Sequence, residues 1–128
     1  MRLARNARTE IFLIVLKATD EIVGVVHIES ISTGASQSAN LGYYGFVPFV
    51  GLGLMREGLR AAMRYAFREL KLHRLEANVQ PMNRRSIELI RSLGFAREGF
   101  SPKFMKVAGR WRDHERWAIL VDRWRARE

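Results

Sequence analysis

Between Gly53 and Leu70 the apolar residues Met55, Leu59, Ala62, Met63, Ala66 and Leu70 recur at helical spacing on one face, while Arg56, Arg60, Arg64 and Arg68 stack four apart on another. A helix of this kind cannot bury its apolar face alone, so the rest of the chain must supply a layer for it to pack on. The flanking segments have the period of a sheet. Residues 11–17 form a β-branched apolar run, residues 18–21 (Ala-Thr-Asp-Glu) supply a turn, and residues 22–28 resume the run, which reads as a β-hairpin. Residues 30–40, rich in Ser, Gly, Thr and Asn, read as a loop. Residues 41–46 read as a third strand, in which Gly42 and Gly45 point to a bulge or to close approach of a ligand.

Leu75, Ala77 and Val79 then alternate with Glu76, Asn78 and Gln80, a strand with one buried and one polar face, so that Glu76 and Asn78 point the same way. Asn83 is placed to cap a second helix with Ile87, Ile90 and Leu93 as its apolar stripe and Gly94 as its stop. From Phe95 the chain returns to extended structure. Residues 104–107 and 111–121 read as a closing hairpin, and the Arg-rich residues 123–128 as a frayed tail. The order β-β-β-α-β-α-β-β, with no internal repeat, predicts an α/β (α+β) fold in which helices pack on one mixed sheet. With 128 residues, 48% of them apolar, the chain is expected to form a single domain, residues 1–128.

Composition narrows the chemistry. Cysteine is absent, which removes disulfides, thiolate metal sites and a cysteine nucleophile, so a group transfer must be direct or use another residue. His27, His73 and His114 have no metal-ligand spacing, and no metal site is expected. No stretch approaches the length of a membrane span and no signal-type segment opens the chain, so a cytoplasmic protein without membrane contact is expected. The net charge of +9 attracts anions. Phe46, Phe49 and Trp111 form no RNA-stacking motif, so nucleic acid is not the expected partner. The arginine ridge of the first helix reads as solvated surface, with a contact to something acidic as the alternative.

The turn Gly51-Leu52-Gly53-Leu54-Met55 leads directly into that helix. Glycines there permit positive φ, and backbone N–H groups at a helix N-terminus suit a pyrophosphate. By itself, Gly-x-Gly before a helix is most often just a tight turn. In order and spacing, however, this turn together with Leu41-Gly42-Tyr43, His73-Arg74-Leu75-Glu76-Ala77-Asn78-Val79, Asn83-Arg84-Arg85-Ser86 and Leu93-Gly94-Phe95 resembles the GNAT (Gcn5-related N-acetyltransferase) superfamily, in its ribosomal-protein-alanine N-acetyltransferase branch.

The resemblance implies a mostly antiparallel twisted GNAT-like sheet, acetyl-CoA as co-substrate, and direct acetyl transfer to a primary amine, with a protein N-terminal residue favoured. A small-molecule amine or amino acid, or a catalytically silent CoA-binding module, are the alternatives. It places Gly51, Leu52, Gly53, Leu54 and Met55 at the pyrophosphate, and Gly45, Phe46 and Val47 along the pantetheine arm. Asn83 and Ser86 fall at its sulfur end. Ser86 is expected either to protonate the departing thiolate or to pack beside it, and Glu76 either to act as general base or to pair with an arginine. For Gly45 a simple bulge competes with the pantetheine role. Val50 stands where the family carries a polar residue, and Ile90 where some relatives carry an acid tyrosine. The family's first strand and two helices are expected to be missing, and a bare edge at residues 11–17 is expected to favour a homodimer.

Overall fold

The computed structural model describes residues 8–46 and 53–128. Six strands form one sheet in the order β1-β2-β3-β4-β6-β5: β1 (Glu10–Val15), β2 (Ile22–Ser32), β3 (Ser38–Gly45), β4 (Arg74–Val79), β5 (Ala96–Val107) and β6 (Arg110–Leu120). Every pairing is antiparallel except β3 with β4. The helices are α1 (Leu54–Arg64), α2 (Arg84–Ser92) and α3 (Val121–Arg127). The mixed, mostly antiparallel sheet with helices on it is the one expected.

One face of the sheet carries the core. Val26, Ile28, Leu41, Leu75, Ala77 and Ile119 are buried with Leu59, Ala62 and Met63 of α1 and Ile90 of α2. The alternation read in β4 holds: Leu75, Ala77 and Val79 are buried, and Glu76 and Asn78 turn to the other face.

Two local expectations are corrected. The segment 30–40 is not all loop, because β2 runs to Ser32 and β3 begins at Ser38, leaving only a short connection. Polar side chains there still allow strand pairing because the backbone finds partners, Ser32 opposite Ser38 and Glu29 opposite Asn40. The first helix also does not end as a plain α-helix. Residues Tyr65–Glu69 form a π turn, with the Leu70 N–H donating to the Tyr65 carbonyl at 3.1 Å. Ala66 and Phe67 in this turn are buried, and Leu70 just past it is only half-buried.

The tail expected to fray is instead helical. Trp124 of α3 is 6% exposed, packs on Phe67 with ring centroids 5.2 Å apart, and lies under the Arg68 guanidinium. Arg123 Nε donates to the Gly94 carbonyl at 2.8 Å and Arg127 Nη2 to the Ser92 carbonyl at 2.7 Å, which ties α3 to the end of α2. The arginine ridge is used here as well. Arg60 and Arg64 lie 3.6 and 3.7 Å from the Glu128 carboxylate, and Arg56 Nε donates to Ser92 Oγ at 3.2 Å. The ridge remains exposed surface, as expected, while its arginines also contact Glu128, Ser92 and Trp124.

Among the described residues no helix is long and apolar enough to cross a membrane. Removing the Trp124 side chain empties a buried site between α1 and α3, so Trp124→Ala should lower unfolding stability by about 3 kcal/mol in urea denaturation.

Candidate active site

The site arises where the parallel pair parts. β3 and β4 are paired only through Ser38, Ala39 and Asn40 with Arg74, Leu75 and Glu76, although β3 continues to Gly45 and β4 to Val79. Beyond Asn40 and Glu76 the two strands leave backbone groups facing a gap.

A cavity of about 390 Å³ opens on the helix side of this gap. Gly45 and Tyr43 of β3 form one wall, Gly53 and Met55 the start of α1, and Asn83 and Ser86 the start of α2. Arg56 and Arg85 also line it, and no carboxylate does. Gly53 caps α1 with φ +75°, a left-handed conformation that side chains with a Cβ rarely adopt. Asn83 caps α2 as expected, its side chain accepting the Ser86 N–H at 3.2 Å. A second cavity of about 220 Å³ occupies the gap itself, lined by Leu41, Gly42, Ala77, Asn78, Gln80 and His114. Tyr43, Asn83 and Ser86 line both cavities, so the two meet at these three side chains.

Tyr43 is the side chain the sequence reading passed over. Its hydroxyl is hydrogen-bonded to Ser86 Oγ and lies 3.4 Å from the Ser86 carbonyl. Burial pushes the phenol above its ordinary range, and the Ser86 contact opposes that. The phenol therefore keeps its proton and can donate it along the pair.

Of the expected cofactor residues, Gly45, Gly53, Met55, Asn83 and Ser86 converge on one cavity. Leu54 lines a different cavity, beside β1 and α1, and Phe46 lines neither of the two at the gap. Val47, Gly51 and Leu52 lie outside the described residues. Gly45 sits in unbroken register opposite Gly24, so it is no bulge. Instead a Cβ on Gly45 would stand 3.2 Å from Met55 Cγ, and one on Gly24 would strike Met55 Sδ. These two glycines let α1 start close against the sheet.

Glu76 stands at the last pair before the strands part, on the face away from the helices. Its Oε1 accepts from Arg74 Nε at 3.3 Å and Nη2 at 3.0 Å. Among the described residues its Oε2 has no hydrogen-bond partner. Arg74 also holds Glu98, with Nη1 donating to Oε2 at 3.0 Å and Nη2 to Oε1. That guanidinium keeps the Glu98 carboxyl below the usual glutamate range, and Glu98 in turn makes Arg74 harder to deprotonate. Among the described residues no cluster of His, Asp and Glu could hold a metal ion.

A mixed sheet whose parallel pair parts around a cleft, with a glycine-led helix at the cleft's mouth, defines the acetyltransferase type of α/β fold. The acetyltransferase (GNAT) domain family matches residues 1–96, and the chain belongs to that family. It is 41% identical over 109 residues to the probable N-acetyltransferase YjcK of Bacillus subtilis, covering 85% of this chain and 60% of that protein. It is 38% identical over 104 residues to the ribosomal protein uS5-alanine N-acetyltransferase of Escherichia coli, covering 81% of this chain and 54% of that protein. Among solved structures, Mycobacterium smegmatis RimJ in complex with CoA-disulfide superposes with a TM-score of 0.85 and 34% identity, over 90% of this chain and 54% of that one. The chain thus spans little more than half the length of these relatives.

Because the folded-state value of Glu98 lies below the unfolded one, its pairing with Arg74 stabilises the fold at neutral pH, and this contribution is lost as pH falls through the folded-state value. Glu98→Gln should therefore flatten the acid side of the stability curve, measured by urea denaturation from neutral pH downward through the carboxylate range.

Proposed function

We propose that residues 1–128 form a single cytoplasmic acetyltransferase domain that moves the acetyl group of acetyl-CoA directly to a primary amine. The observation that carries this reading is the meeting of two cavities at Tyr43, Asn83 and Ser86. The helix-side cavity offers what a CoA arm needs. Arg56 and Arg85 supply positive charge for phosphates, and the start of α1 supplies backbone donors backed by the helix dipole. The unpaired edge of β3 past Asn40 is suited to the amide-bearing pantetheine chain, as an added strand would be. The gap then leads to the opposite face of the sheet, where an acceptor can approach. The RimJ relative was solved in complex with CoA-disulfide, which supports CoA as the ligand of this fold.

A protein N-terminal residue is the favoured acceptor, because the Escherichia coli relative is named for acetylating one on ribosomal protein uS5. An α-amine also titrates near ~8 and a lysine near ~10.4, so the former is the easier group to present neutral. With no cysteine in the chain, attack on the thioester is direct. Ser86, hydrogen-bonded to the protonated Tyr43, is proposed to give a proton to the departing thiolate, a role that this contact supports. Glu76 is proposed to take a proton from the nitrogen through a water at its free Oε2. Val47, Gly51 and Leu52 complete the proposed cofactor path, whereas Phe46 and Leu54 line neither cavity at the gap.

β1 has no described neighbour on its outer side, and its Ile11, Leu13 and Val15 are 61, 56 and 44% exposed. A second copy paired along this strand is the proposed assembly, and light scattering should find a dimer that Leu13→Lys converts to monomer.

Gly53→Val, which cannot keep φ +75° without strain, should abolish the thermal stabilisation by acetyl-CoA seen for the parent; equal stabilisation would overturn the cleft assignment. Glu76→Gln should lower kcat by about 10²-fold with the KM for acetyl-CoA unchanged. An unchanged kcat would leave Glu76 as the ion-pair partner of Arg74 alone.

A further inference from the structure

His114 is the one buried polar or charged residue among those described, at 4% exposure. It lines the gap between β3 and β4 together with Tyr43, Asn83 and Ser86. Burying an imidazole costs free energy unless its nitrogens are satisfied. Only one is. Nδ1 lies 3.0 Å from the Arg112 carbonyl oxygen, which can only accept, so Nδ1 carries the proton in the neutral ring. Nε2 is then bare, with a lone pair and no partner among the described residues. It is not sealed either, because no buried side-chain nitrogen or oxygen there lacks both a partner and access to solvent. The Phe104 ring, 6.1 Å away between centroids, packs beside the imidazole. Arg112 and Arg116 flank it two residues away on the same face of β6, and Arg116 is turned to Ser101. The gap residues from β3 and β4 are uncharged.

We propose that His114 Nε2 accepts the first proton of the acceptor ammonium. This deepens the acetyltransferase reading and rests on it. An ammonium must shed two protons to become an amide. The first goes to Nε2 and on to solvent, leaving a nitrogen lone pair. That pair forms the C–N bond at the thioester carbonyl carbon. The second proton leaves nitrogen toward Glu76 through water and passes on to solvent, and the C–S bond breaks. The thiolate takes its proton from Ser86, which is restored from solvent, so one proton is released per acetyl group moved. The Arg112 carbonyl sets the tautomer, so that the lone pair rather than an N–H faces the gap.

The test begins without turnover. In ¹⁵N NMR of the full chain, the neutral His114 ring should show a protonated Nδ1 and a bare Nε2; the opposite tautomer overturns the proposal. His114→Gln should then keep the parent's unfolding midpoint and acetyl-CoA affinity while kcat/KM for an N-terminal alanyl peptide falls about 10²-fold or more and the acid limb of its pH profile disappears. His114→Ala should regain part of the lost rate on addition of imidazole. Turnover within about threefold of the parent with the same pH profile overturns the assignment, as does a loss that merely follows lost folding or lost acetyl-CoA binding. A parent that binds acetyl-CoA yet acetylates no amine overturns the transferase reading itself, and a parent that transfers while His114→Gln is indifferent overturns only the role of His114.

Discussion

The short ladder between β3 and β4 is the constraint on which the rest depends. Two parallel strands normally stay paired along their shared length, because each unpaired backbone group that is buried costs free energy. Here pairing stops after Asn40 and Glu76. The strands can part because α1 and α2 keep their inner faces buried: Leu41 of β3 and Ala77 and Val79 of β4 remain in the core after the ladder has ended. Side-chain packing on one face thus holds the strands that hydrogen bonds no longer hold. What results is a slot through the sheet with backbone donors and acceptors on its walls and a helix start at its mouth.

Elements whose information is local were legible in the sequence. The strict alternation of residues 75–80, the Asn83 cap and the Gly94 stop each depend on a residue and its near neighbours, and each is where the pattern placed it. The π turn at Tyr65–Glu69 was not legible, because the apolar residues around it keep the spacing of a plain helix and nothing in the segment marks an extra residue in one turn. The tail was not legible either. Residues 121–127 carry one large apolar side chain and three arginines, a weak local signal for a helix, and its order comes from Phe67, Gly94 and Ser92, all remote in sequence.

The candidate site divides along the same line. Glycines and caps announced the helix-side cavity, since Gly53 and Asn83 shape it through their own backbone or nearest amides. The Tyr43–Ser86 contact spans 43 residues, and the Arg74 links to Glu76 and Glu98 join two strands through a third. His114 gave no signal as a lone imidazole on an Arg-rich strand. Only the register that sets β6 beside β4 brings it to the gap.

Met55 joins two matters that are usually separate. Its side chain fills the space that Gly24 and Gly45 leave, which seats the start of α1 against the sheet, and it also lines the cleft. A flexible thioether suits such a place, because it can adjust to either neighbour. A smaller residue would deepen the cleft and loosen the helix in the same stroke, while a bulkier one would lift the helix and move the amides at its start with it. How widely this cleft opens is therefore not free to drift on its own: it is tied, through one side chain, to how firmly the first helix is moored.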